Sequence, residues 1–492
     1  MTTTAPRGGA PVRRPSGSAR WATPAVLTAA IGLPVAAVAG LLIVAVPADG
    51  PLLAALFAVV LALAAGSAVL LLRRPWLAPW GALFLFATSA ELRLRLSDTL
   101  GVAKDAYVAL LLALVVAHVV AHRPVLARLR PLAGPLAALG IVVGLYLLNP
   151  AGGHGTGWLF GTRLLLEVLA LLAIGLLCAA PERTTAHLVT AMTVLLPLQA
   201  AFAWVQQWAG ADALVFGWGY RYGAQVRMTT DGGLRTSGTF EDPFQLAALA
   251  VLGLALALFV ASRRQAVVLV VASVAVLGAT SVRTAMIQVG VLLVIWAVRR
   301  GWWKQATVLG VLAAVAGIVL LSGTSTAVRP GAPEEPLLLT LNGRSTAWAQ
   351  AVQGPESFLV GNGVGARGIG STREAELVSA APAYDPTSAP PASFAGDSAF
   401  LDSAYAQVQS DVGITGSVAF VGAFLGLGAV LVRRCRDGSS GAAWAGLGVL
   451  AVSMVDWIGR SSVASYTTGF LTLYLLGLLL AASTPRTAAD AS

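Results

Sequence analysis

Residues 243–264 read PFQLAALAVLGLALALFVASRR, an apolar run of bilayer length that stops on paired arginines. A helix needs about 20 apolar residues to cross a hydrocarbon core. One such run could be a buried core helix, so repetition decides the reading. Comparable runs recur at roughly 24–46, 51–72, 76–92, 105–121, 131–148, 163–180, 186–208, 243–261, 265–281, 284–298, 305–322, 404–432, 441–458 and 462–482. The 492 residues are 57% hydrophobic and only 11% charged, too few charges to cover a soluble surface. These features predict an all-α, polytopic transmembrane bundle of about 14 spans (12–14). A large extracytoplasmic loop subdomain precedes its third-last helix.

The expected organisation is a disordered cytoplasmic tail at 1–22, transmembrane helices 1–11 at 23–322, the large loop at 323–403, helices 12–14 at 404–483, and a second tail at 484–492. The first apolar run exceeds a signal-peptide core and is read as a retained helix. Placing both termini in the cytoplasm puts Arg73, Arg74, Arg123, Arg128, Arg130, Arg183, Arg263, Arg264, Arg299, Arg300, Lys304, Arg433, Arg434 and Arg436 in inner connections. That is the positive-inside pattern, and it makes the active face extracytoplasmic at a plasma (inner) membrane. The +10 net charge is thereby explained by topology, not by nucleic acid. Cys178 and Cys435 fall at helix ends and form no disulfide or metal framework.

Several arginines break the charge rule. Arg163, Arg235, Arg283 and Arg460 sit against outer helix ends or in short turns, where charge is scarce unless it has a task. They point to an anion site at the outer interface. Glu167, one turn after Arg163, and Asp456, one turn before Arg460, are read as their ion-pair partners. Two outer connections are long. Residues 209–241 carry Arg221, Arg227 and Asp231 and end in Arg235-Thr-Ser-Gly-Thr-Phe-Glu-Asp-Pro-Phe244. Residues 322–403 carry Arg344 in a segment that Asn342 can cap, with Trp348 facing the membrane. Gly361-Asn-Gly-Val-Gly-Ala-Arg-Gly368 imitates a dinucleotide fingerprint, but no strand is expected before it. It reads either as a tight turn offering backbone amides to a polar ligand or as a plain loop. Asp402 is a candidate base or a helix cap, and Glu241 and Asp242 precede Pro243 in cap positions.

Arg235…Gly238-Thr-Phe, Ser281-Val-Arg283-Thr-Ala, Gly343-Arg344…Trp348, Gly361-Asn-Gly-Val-Gly365 and Asp402-Ser-Ala-Tyr405…Gly413-Ile-Thr-Gly416 follow one another in that order. Over residues 160–435 this run resembles the O-antigen ligase and O-antigen polymerase-like superfamily. The resemblance implies a metal-independent glycosyltransferase without cofactors. Its donor is a glycan on polyprenyl (undecaprenyl) diphosphate, and its acceptor is a glycan, lipid or protein. Arg235, Arg283 and Asp402 become the expected catalytic residues. Arg163, Arg344, Arg221, Arg227 and Tyr405 become the expected substrate-binding ones. Ligases of that superfamily carry a histidine at the end of the large loop; here Asp397 and Asp402 stand instead, which favours a surface polysaccharide polymerase. A ligase of the same superfamily is the alternative within the class, and a secondary transporter or lipid flippase the alternative outside it.

Overall fold

The computed structural model describes residues 69–95, 102–149, 151, 155–220, 225–228, 233–322, 355–366, 403–438, 441–460, 462–464 and 468–484. The expected tails, the first span, most of the second, and Arg221, Arg344 and Asp402 lie outside them.

The chain is an all-α membrane protein. Its helices are α1 (Ala78–Arg95), α2 (Val102–Ala121), α3 (Ala133–Leu148), α4 (Thr156–Leu176), α5 (Pro181–Asp212), α6 (Pro243–Phe259), α7 (Arg263–Thr280), α8 (Arg283–Arg299), α9 (Trp303–Ser322), the short α10 (Pro355–Leu359), α11 (Ala404–Arg436), α12 (Gly441–Gly459) and α13 (Thr468–Ala482). Among the described residues, seven helical stretches are long and apolar enough to cross a membrane; α6 and α13 are shorter apolar helices. The departure from all-helix is a two-stranded hairpin, β1 (Arg227–Met228) with β2 (Leu234–Arg235).

Local chemistry sets the ends. Asp242 caps α6, its Oδ1 accepting from the Gln245 amide at 2.8 Å with Pro243 in the first turn. Ser262 and Gln265 form a capping box on α7. Two expected boundaries need correcting. The span anticipated from 163 begins at Thr156, because Trp158, Leu159 and Phe160 continue the apolar face and Arg163 is neutralised within the helix. The span anticipated from 462 starts as a helix only at Thr468, after a 3-10 turn over Ser462–Ala464.

α13 lies at the centre: every residue from Thr468 to Ala481 is buried. It packs on α4 through glycines. A Cβ on Gly175 would strike the Tyr474 carbonyl, and one on Gly477 the Leu172 carbonyl. Small residues allow such backbone approach, which is how membrane helices gain packing without a hydrophobic drive between them.

One face of the bundle is held by arginines at helix ends. Arg128 Nη1 donates to Cys178 O beyond α4 at 2.9 Å, Arg299 Nη1 to Phe259 O ending α6 at 3.2 Å, and Arg434 to Leu480 O and Ser483 Oγ at the end of α13. Each satisfies a carbonyl or hydroxyl where a helix runs out of amide partners, at the end its dipole makes negative. These arginines belong to the connections assigned above to the inner side.

Gly477→Leu is expected to prise α13 from α4 and lower stability by about 3 kcal/mol or more. Thermal unfolding of detergent-purified protein checks this; an unchanged midpoint would contradict the close crossing.

Candidate functional site

The segment carrying Arg235 is fixed by three glutamines on one stretch of α5. Gln207 Nε2 donates to Leu234 O at 2.7 Å and to Ala279 O at 2.8 Å. Gln206, fully buried, exchanges both of its amide functions with Gly238: Gly238 N donates to its Oε1 and its Nε2 donates to Gly238 O, each at 2.8 Å. Gln199 accepts from Thr239 N at 3.1 Å and donates to Thr239 Oγ1 at 2.7 Å, while that hydroxyl donates to Ala87 O of α1 at 2.6 Å. Gly238 has φ +59°, a backbone state that glycine reaches without strain. A side-chain amide offers one donor side and one acceptor side, so it can stand in for a strand partner inside a bundle.

Two further contacts seat this segment at the corner between α7 and α8. Thr236 N and Oγ1 both donate to Ala279 O, at 3.3 and 3.2 Å. From Ala279 the chain passes Ser281, left-handed at φ 49°, and enters α8 with Arg283 as its first residue. Arg235 and Arg283 are therefore anchored to the same corner. Across the hairpin, Arg227 is the register partner of Arg235. Like charges directly opposite one another destabilise a hairpin unless other groups balance them. A small core of Leu214, Tyr220 and Val226 supports the hairpin from beneath, and Tyr220 hydroxyl donates to Glu91 of α1 at 2.8 Å.

Arg460, past the end of α12, adds a further cation. Its guanidinium lies 5.1 Å from the Phe244 ring centroid, and that of Arg227 lies 5.4 Å from the same ring. Two guanidinium groups thus meet one aromatic side chain. Asp242 and Asp456 flank Arg460 at 3.6 and 3.8 Å. The start of α11 is tied here too: Ala404 N donates to Arg460 O at 3.1 Å and Ser403 Oγ to Trp457 O at 3.0 Å.

The remaining expected residues fall differently. Arg163 bonds Glu167 at 2.7 Å, as anticipated, and also Asp105, which Lys104 pairs in turn. Two cations and two carboxylates make a neutral quartet on α2 and α4. Tyr405 donates its hydroxyl to Met454 O at 3.0 Å and packs edge-on to Trp457, so it joins α11 to α12. Ser403 supplies the side-chain cap of α11, its Oγ accepting from Ala406 N at 3.4 Å.

The glycine run has a packing reason. A Cβ on Gly361 would meet the Asp411 backbone, one on Gly365 the Gly157 carbonyl, and one on Gly413, where α11 breaks, the Leu359 carbonyl. Around this contact Asp411 is buried, accepting from Tyr146 hydroxyl at 2.7 Å and from Gln407 at 2.9 Å, while Asn149 bridges Val360 O and Asp411 O. The turn therefore latches to the α11 break.

The sequence alone singled out none of Gln199, Gln206 and Gln207, and gave no role to Phe244 or Asp411. The amides carry no charge or motif to mark them. Their signal was only that glutamines recur in an otherwise apolar helix, where each needs a partner. No protein-family model matches the chain, and no curated protein matches it.

Gln206→Leu keeps the volume but strands the Gly238 amide and carbonyl, at about 1–3 kcal/mol for each buried group left unpaired. A clear fall in the detergent unfolding midpoint is expected; no change would show that the hairpin is held by other means.

Proposed function

We propose that this chain is a glycosyltransferase of the polysaccharide-polymerase type, acting at the extracytoplasmic face of the plasma membrane. It moves an oligosaccharide from a polyprenyl-diphosphate carrier to a glycan acceptor. The observation that carries this reading is the gathering of Arg227, Arg235 and Arg283 on one hairpin and the corner beneath it, with Arg460 joining Arg227 at Phe244. The topology expected from the charge pattern, about 14 spans (12–14) with both termini inside, and the order of motifs that resembles the O-antigen ligase and polymerase-like superfamily, agree with this reading.

Outside the cytoplasm no nucleotide drives transfer, so the donor must arrive activated. An acceptor hydroxyl oxygen attacks the anomeric carbon. The bond from that carbon to the diphosphate oxygen breaks, the electron pair stays on the diphosphate, and the hydroxyl proton passes to a base, assigned to Asp402. Negative charge grows on the departing oxygen. Fixed guanidinium groups stabilise that charge more in the transition state than before it. They also match phosphate oxygens bidentately and stay protonated. Arg227, Arg235, Arg283 and Arg460 are assigned to the diphosphate, with Arg221, Arg344 and Tyr405 along the bound glycan. Arg163, already engaged by two carboxylates, stands at the margin.

Arg235→Ala and Arg283→Ala are each expected to lower transfer about a hundredfold, the equivalent of about 3 kcal/mol. Arg→Lys should recover part of this, and size-exclusion profiles should stay unchanged. Cells lacking the protein should accumulate single lipid-linked repeats. Long chains left on the carrier would identify a ligase. Donor confined to the inner leaflet would identify a transporter.

A further inference from the structure

α8 gives way to α9 through Trp296-Ala-Val-Arg-Arg-Gly-Trp-Trp-Lys304, three cations and three tryptophans in nine residues. The turn between them is closed by backbone bonds. Trp302 N donates to Ala297 O at 2.9 Å and Gly301 N to Val298 O at 3.0 Å. Gly301 sits at φ 73°, the left-handed state that this way of ending a helix requires. The Arg300 guanidinium lies 5.5 Å from the centroid of the Trp296 ring, and Trp302 meets that ring edge-on at 5.3 Å. Arg300 is thus presented on an aromatic support.

These cations lack carboxylate partners. Elsewhere in the bundle Lys104, Arg163 and Arg460 are all ion-paired. Among the described residues Arg299, Arg300 and Lys304 form no ion pair. That includes Glu182 and Asp437, the carboxylates that the charge pattern places on the same face. Arg299 turns inward, donating to Leu258 O and Phe259 O at 3.4 and 3.2 Å. Arg300 and Lys304 are exposed, as are Trp302 and Trp303. Two cations at this turn are therefore open to a partner from outside the chain.

The same place offers an apolar path. Among the described elements α9 packs chiefly on α8, so it stands at the perimeter of the bundle. Lys304, Val308, Val311 and Leu312 recur at helical spacing on one stripe of α9, and all four are exposed. The stripe carries a cation at its start and apolar side chains over the next ~12 Å. That profile matches an amphiphile with an anionic head and a hydrocarbon tail. Tryptophan is enriched at the level of lipid headgroups. Guanidinium groups grip phosphate oxygens through paired N–H donors.

We propose that the α8–α9 turn binds one anionic phospholipid, its phosphate held by Arg300 and Lys304 and an acyl chain lying along Val308, Val311 and Leu312. The lipid supplies the negative charge that the chain itself withholds there, and it seats the start of α9 at headgroup level. The site is separate from the arginine hairpin and independent of whether the chain transfers glycans.

The test is native mass spectrometry of the full-length protein in detergent, titrated with phosphatidylglycerol and with phosphatidylcholine. Phosphatidylglycerol is expected to bind the more tightly, with one site filling first. Arg300→Gln with Lys304→Gln should weaken that site about twenty-five-fold, about fivefold for each cation. Arg263→Gln with Arg264→Gln removes the same charge from the exposed start of α7 and should leave the site nearly unchanged. Both double variants replace exposed side chains, and equal unfolding midpoints in phosphatidylcholine check that they fold. Inorganic phosphate at matched ionic strength should not displace the lipid. Equal affinity for the two lipids, an equal loss in the two double variants, or displacement by inorganic phosphate would overturn the proposal. None of these readouts uses glycan transfer, so failure here and failure of the proposed function are separately visible.

Discussion

Side-chain amides inside an apolar helix bundle have few places to spend their hydrogen bonds, and in α5 three of them spend theirs on one neighbouring strand of backbone. Gln199, Gln206 and Gln207 hold residues 234–239 by donors and acceptors alike. Everything at that end of the bundle follows from the grip. It aligns Arg235 with Arg227, sets Thr236 on the end of α7, and places the turn into Arg283 beside them. Unpaired, the same polar groups would each penalise folding. Satisfied, they fix a loop with the precision of a secondary-structure element.

The two ends of the bundle use arginine in different ways. At one end Arg128, Arg299 and Arg434 close carbonyls left open by α4, α6 and α13. Those cations serve helix termini and complement their dipoles. At the other end Arg227 and Arg235 are register partners on a hairpin, Arg283 opens α8, and Arg460 shares the Phe244 ring with Arg227, with Asp242 and Asp456 about Arg460. A residue that a composition count treats as one thing thus plays two roles. Only the partners distinguish them.

Much of the architecture was legible because hydrophobic length and helix caps are local properties. Asp242 before Pro243, the Arg163–Glu167 pair and the Asp456–Arg460 pair all follow from spacing along one chain segment. What escaped was long-range. Arg163 looked like a helix-end cation because Asp105, which lets it sit two turns inside α4, is 58 residues away in sequence. Gly361 and Gly413 look like loop and helix glycines until Leu359 and Asp411 are brought against them. The anchoring glutamines had no motif, and Arg460 joined the group only through Phe244 and the fold of α6.

The central claim is that the guanidinium groups of Arg227 and Arg235 hold a single diphosphate. The most direct measurement is a double-mutant cycle on the binding of a short-chain prenyl diphosphate to the purified protein, using Arg227→Ala, Arg235→Ala and the double variant. Two groups that share one anion should each weaken binding, with a combined loss that departs from the sum of the separate ones. Unchanged affinity in both single variants would contradict the account.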